Sequence, residues 1–252
     1  MATPDGGRMP LIEHLRELRR RVVKSSIAIM VGFVFGWILY NPIITKLAEP
    51  VCDLKKAQET GATHCGSLYI NGVLGPLNLQ IKVALLTGVI LMAPVWLYQL
   101  WAFIAPGLYV HERKLILPLV VSSYSLFIIG MAFAYFLVFP VLFGFVTSSA
   151  PQGVAVMTDI GSYLDFVTTM FVSFGIAFEV PIAVLLLVRF NLVKIESLKE
   201  ARSYVIVGAF VIGAILTPPD VISQVMLAVP LWILYEAGVF VAGFVAKPQT
   251  VA

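Results

Sequence analysis

Polar and apolar positions along this chain are segregated into long blocks. Residues 83–111 contain no Asp, Glu, Lys or Arg, and 115–158 contain none either, so Glu112, Arg113 and Lys114 form a short polar island between two apolar stretches. Six blocks read as membrane spans: about 25–45, 77–102, 115–146, 161–188, 203–216 and 221–244. A helix crosses ~30 Å of hydrocarbon with ~20 apolar residues. Period-two alternation is absent, which favours helices over a barrel. The predicted fold is an all-α polytopic membrane protein, one membrane domain over residues 1–252.

The blocks are not alike. Before the first, residues 10–24 predict an amphipathic helix: Leu11, Leu15, Leu18 and Val22 share a stripe, while Glu13, Arg16, Glu17 and Arg20 cover the other face. Pro10 suits its first turn, and such a helix is expected to lie at the cytoplasmic interface ahead of the span. The third block is longer than a bilayer needs and carries Pro118 and Pro140, so it should tilt or bend. The fifth and sixth are expected to be short. Ser203–Leu216 covers about 21 Å as a helix, and Glu236 interrupts the sixth soon after Tyr235. Thr217-Pro218-Pro219-Asp220 joins them, with Asp220 an expected N-cap.

Composition agrees with the pattern: 60% of residues are hydrophobic and 12% charged, against about 25% charged in soluble domains. Lys and Arg then set the orientation. Thirteen fall on one side: Arg8, Arg16, Arg19, Arg20, Arg21, Lys24, Arg113, Lys114, Arg189, Lys194, Lys199, Arg202 and Lys247. Lys46, Lys55 and Lys56 fall on the other, and Lys82 should snorkel outward. Both termini are expected in the cytoplasm. The net charge of +3 is a topology signal and gives no reason to expect nucleic acid. Cys52 and Cys65 share the first outer loop, where they are either a disulfide or two thiols.

Charges inside spans are costly unless paired or hydrated. Glu179, in Phe178-Glu179-Val180-Pro181, reads either as a protonated carboxyl bonded to a neighbouring helix or as a polar site in a bundle cavity. Glu236, nearer an end, can snorkel, and Asp165 is interfacial. Thr217 and Gln224 flank the five-six turn and offer hydrogen bonds between helices. Glu17 and Glu112 each have an ordinary partner nearby, Arg21 for one and Arg113 or Lys114 for the other. Together they could instead clamp guanidinium groups, whose planar forks match carboxylates. His14, His64 and His111 all lie outside the spans, and no Walker A or G-x-G-x-x-G sequence occurs. Neither a metal, a cofactor nor covalent chemistry is expected.

The segments LIEHLRELRRR at 11–21, LMAPVWLYQLWAFIAPGLYVHER at 91–113, GMAFAYFLVFP at 130–140, FEVP at 178–181 and VGAFVIGAILTPPDVISQ at 207–224 resemble the TatC family. That family is the multispanning receptor subunit of the twin-arginine protein translocase. The resemblance implies a cup- or glove-shaped bundle in the bacterial cytoplasmic membrane that recognises twin-arginine signal peptides of folded cargo. It also implies assembly with TatA-type and TatB-type single-span subunits, and with further copies of the chain, for export driven by the protonmotive force. Carried over by motif, Glu17 and Glu112 become the signal-binding carboxylates, supported by Arg19 and Phe103. Pro50 and Pro94 take structural positions, as does Asp220. Glu179 becomes the intramembrane polar residue, and Thr217 and Gln224 a docking patch for a partner helix. The rival expectation is a proton- or ion-coupled small-molecule transporter using Glu179, which predicts an inverted repeat that the sequence does not display.

Overall fold

The structure, a computed structural model, describes residues 11–48, 68–104, 116–148, 158–189, 192–216 and 221–245. The helices are α1 (Leu11–Ile38), α2 (40–48), α3 (Gly75–Leu91), α4 (Ala93–Ile104) and α5 (Ile116–Phe133). A π-helical turn (Ala134–Val138) leads into α6 (Phe139–Ser148), followed by α7 (Ile160–Ala177), α8 (Val180–Arg189), α9 (Ile195–Glu200), α10 (Arg202–Leu216) and α11 (Val221–Val245). Two short strands, β1 (Leu68–Tyr69) and β2 (Thr158–Asp159), pair in parallel. Among the described residues, Leu15–Ile38, Leu117–Phe145, Ile160–Arg189 and Gln224–Phe244 are long and apolar enough to cross a membrane, and α3 with α4 would make a fifth span bent by 58°. The chain divides into two compact units: Met1–Asn41 with Gln80–Tyr124, and Pro42–Leu79 with Ser125–Ala252.

In the first unit α1 lies tightly against α3. A Cβ on Gly32 would stand 2.8 Å from the Gly88 Cα, and one on Gly36 would stand 2.6 Å from the Ala84 carbonyl oxygen. Where lipid competes for apolar surface, such small-residue seams let helices gain contact by close backbone approach. The α3–α4 bend has a plain cause. Pro94 lacks the N–H that would reach the Ile90 carbonyl and its ring collides with that turn. The indole of Trp96 donates to the Val89 carbonyl at 3.0 Å, satisfying an oxygen that the break releases. Further along, buried Trp101 donates to the Ser123 hydroxyl at 2.7 Å.

The second unit is built on aromatic packing. Phe127, Phe139 and Phe174 are almost wholly buried, and the rings of Phe139 and Phe171 pack with centroids 5.4 Å apart. The expected bend near Pro140 takes the form of the π turn, in which the Phe139 N–H reaches back five residues to Ala134. Widening the turn relieves the proline clash without breaking the span. Two tyrosine hydroxyls from this region donate to backbone at the end of α2: Tyr135 to Lys46 at 3.1 Å and Tyr163 to Leu47 at 2.5 Å. Outside the membrane-spanning core, Asp159 caps α7 by accepting from the Ser162 N–H at 2.9 Å. That backbone bond, reinforced by the Ser162 hydroxyl, holds its carboxyl below the usual range.

Two expectations need correction. The N-terminal amphipathic stretch is not a separate helix: α1 runs unbroken from Leu11 to Ile38. Between Leu11 and Val31 there is neither Gly nor Pro to let the chain turn between an interfacial helix and a span. The sixth helix is also not short, since α11 extends 25 residues through Pro230 and Glu236. Glu236 does not end it because its carboxylate meets Arg202 at 2.7 Å. Among the described residues α10, at 15 residues, is the expected span that falls short of a bilayer, reaching about 22 Å against ~30 Å of hydrocarbon.

Candidate functional site

The polar end of the first unit gathers several of the sequence candidates. Glu17 lies on α1 one turn before Arg21, the spacing at which opposite charges meet on a helix. Both Nε and Nη2 of Arg21 donate to the same Glu17 oxygen, at 3.0 and 2.6 Å. The remaining arm of the guanidinium, Nη1, donates to the Gln99 carbonyl oxygen of α4 at 3.4 Å. The two charged side chains keep only 22% and 25% of their surface exposed. Phe103 sits half-buried one turn beyond Gln99 on α4. Arg19, two residues past Glu17, leaves α1 on another face and is exposed, so the structure does not bring it to the carboxylate. Glu112 lies outside the described residues.

Gln99 was not among the sequence candidates. The signal for it was available: it stands four residues before Phe103 and therefore on the same face of α4.

The second unit holds the intramembrane candidates. Glu179 falls in the two-residue break between α7 and α8, and both carboxyl oxygens are buried. Pro181 explains the break, because in a continuous helix its ring would strike the Ala177 carbonyl. The chain turns tightly there, with the Glu179 N–H donating to the Ile176 carbonyl at 3.0 Å. Beside the break Phe133 packs against Phe174 and Phe178, with centroids 5.7 and 5.6 Å apart.

Gln224 donates from α11 to the Phe210 carbonyl of α10 at 2.9 Å. Gly213 makes room for it, since a Cβ there would approach the Gln224 side chain to 3.2 Å. At the other end of this helix pair, Arg202 and Glu236 form their ion pair while the Tyr235 hydroxyl donates to the Leu198 carbonyl at 2.7 Å. Pro94 is placed at the α3–α4 bend, a structural position. Pro50, Cys52, Cys65, Thr217 and Asp220 lie outside the described residues.

These features define a class: a polytopic α-helical membrane protein whose span-flanking charges are paired across or along helices, and whose bends are built from proline. The family described as Sec-independent protein translocase protein (TatC) matches residues 13–230. A TatC of Azotobacter chroococcum mcd 1 is 49% identical over 95% of this chain and 91% of its own length. The TatC of Escherichia coli (strain K12) is 49% identical over 93% and 88%. A crystal structure of a twin-arginine translocase receptor, TatC, superposes with a TM-score of 0.80 at 38% identity, covering 93% of this chain and all of that one. The chain belongs to the TatC family and is a subunit of the Sec-independent, twin-arginine protein translocase. The small-molecule transporter expectation is thereby left without support.

Proposed function

We propose that this subunit is the non-enzymatic receptor for twin-arginine signal peptides, with Glu17 and Glu112 as the carboxylates that receive the two guanidinium groups. The supporting observation is the Arg21–Glu17–Gln99 arrangement. Glu17 already holds one guanidinium through two of its nitrogens in a partly desolvated place, which is the interaction an incoming arginine would make. Arg21 then acts as an internal occupant that a signal arginine displaces. Because an i, i+4 pair is worth only ~0.3–0.5 kcal/mol, the exchange costs little. Gln99 supplies a neutral acceptor for the guanidinium edge, and Phe103 an apolar wall.

In this reading both termini and the Glu17 end of α1 face the cytoplasm, and the whole chain works as one membrane domain of the bacterial cytoplasmic membrane. The signal peptide's apolar core would run along the protein past Glu179. Single-span subunits of the TatA and TatB type would dock by Thr217 and Gln224, with Pro50, Pro94 and Asp220 shaping the scaffold, and transport would draw on the protonmotive force. The deciding experiment is binding of labelled signal peptide to the purified protein in nanodiscs, twin-Arg against twin-Lys, for wild type, Glu17→Ala and Glu112→Ala. Preference for twin-Arg that either substitution abolishes is the expected result. Equal binding of both peptides, indifferent to the substitutions, would overturn the carboxylate clamp.

A further inference from the structure

One face of α1 is unlike the rest of the molecule. Of the four long apolar helices, the α1 span is the least buried, 11% against 39–56% for the others. Opposite its glycine seam, Val23, Ser26, Ile27, Met30, Val31 and Val34 line a shallow apolar furrow of about 450 Å³. Arg16, Arg20 and Lys24 are exposed. Arg16 and Arg20 stand on that same side of the helix beyond the end of the furrow, Lys24 flanks its first turn on one edge, and exposed Arg19 lies toward the other edge. Glu13 lies on this side too, one turn farther out than Arg16. The Glu17–Arg21 pair is turned away toward α4.

We infer that this face is a binding site for an anionic phospholipid, its phosphate held by Arg16, Arg20 and Lys24 and one acyl chain laid in the furrow. Three observations select this occupant over a protein helix. The cations are concentrated at one end and find their complement in an anionic headgroup layer. The furrow is about 16 Å long, near half of the ~30 Å hydrocarbon thickness, which fits one leaflet, whereas a spanning helix would need the whole depth. Apart from Ser26 its walls are the branched or flexible side chains of Val23, Ile27, Met30, Val31 and Val34, with no small-x-x-x-small pair, while close helix pairs in membranes favour such pairs. The face that does carry small residues, Gly32 and Gly36, is already taken by α3. This site is separate from the receptor carboxylates and would make the membrane itself the counter-charge for a basic helix that must also admit a cationic peptide.

The test is native mass spectrometry of the purified full chain, exchanged between phosphatidylglycerol and phosphatidylcholine of identical acyl composition. Wild type is expected to retain the anionic lipid at least ~5-fold better, about the factor one basic residue supplies near an anionic surface. The variant R16Q/R20Q/K24Q is expected to lose that preference while keeping its helical circular dichroism, and R16K/R20K is expected to keep it. Met30→Asp should weaken retention through the furrow alone. Undiminished preference in the Gln variant would overturn the proposal. So would inorganic phosphate competing as well as the lipid, which would mean free-anion binding. Retention replaced by a stable dimer would give the face to a second copy.

Discussion

Two ion pairs of nearly equal length do different work in this molecule. Glu17–Arg21 is 2.6 Å long and joins residues one turn apart on one helix. Arg202–Glu236 is 2.7 Å long and joins residues 34 positions apart on two helices. The first joins residues that α1 already holds one turn apart and reaches another helix only through the 3.4 Å Arg21–Gln99 bond, so its carboxylate can take another cation at little cost. The second ties the foot of α10 to α11, beside a Tyr235–Leu198 hydrogen bond and a small core containing Val184, Val188 and Val239. Distance alone does not separate a replaceable contact from a structural one; sequence separation and what else is fastened nearby do.

The largest effect expected from breaking this comparison is on recognition. Reversing charge with Glu17→Lys should weaken twin-Arg peptide binding at least ~10-fold, equivalent to about 1.4 kcal/mol, with the protein still inserting in the membrane. Fluorescence anisotropy in nanodiscs would read it, and unaltered affinity would break the receptor assignment.

The structural pair should answer to stability instead. Arg202→Glu places two carboxylates together and should lower the melting temperature in detergent. The swap Arg202→Glu with Glu236→Arg should recover most of the loss, a coupling of about 1 kcal/mol for a pair this exposed. Absence of recovery would mean the contact is incidental.

A smaller change should come from Arg21→Gln. Removing the internal competitor should tighten peptide binding about two-fold, the scale of an i, i+4 pair. Weaker binding would mean Arg21 helps to build the site rather than to occupy it. The least effect belongs to Asp159. Its lowered carboxyl pKa means that its capping contribution is fully present above the ordinary Asp range and disappears as pH falls through the lowered folded value. Asp159→Asn should therefore flatten the acid limb of a stability profile and leave neutral pH nearly unchanged.

Block lengths and proline positions made most of the helices legible in the sequence. Ser203–Leu216 was placed to within one residue of α10, and Pro140 stands beside the irregularity expected of it. What failed depended on partners distant in the chain. Glu236 looked like a terminator because its neutralising arginine is 34 residues away. The stretch 10–24 looked separate because its charge pattern changes at Lys24, although charge does not interrupt a helix where Gly and Pro are missing. Gln99 shares the α4 face of Phe103, but the guanidinium it accepts from belongs to Arg21, 78 residues earlier in the chain. Gly32 and Gly36, a G-x-x-x-G spacing in GFVFG, could have been read directly as a helix-packing face and were not.

The two tyrosine bonds at the end of α2 bear on the order of events during synthesis. Tyr135 and Tyr163 reach carbonyls 89 and 116 residues earlier in the chain. Neither bond exists while only the first two blocks have left the ribosome. The end of α2 is therefore fastened late, after the third and fourth blocks have entered the membrane and been brought alongside it. Until then its last carbonyls depend on water or on the insertion machinery, so a chain halted before Tyr135 would carry an α2 end that protease or solvent can reach.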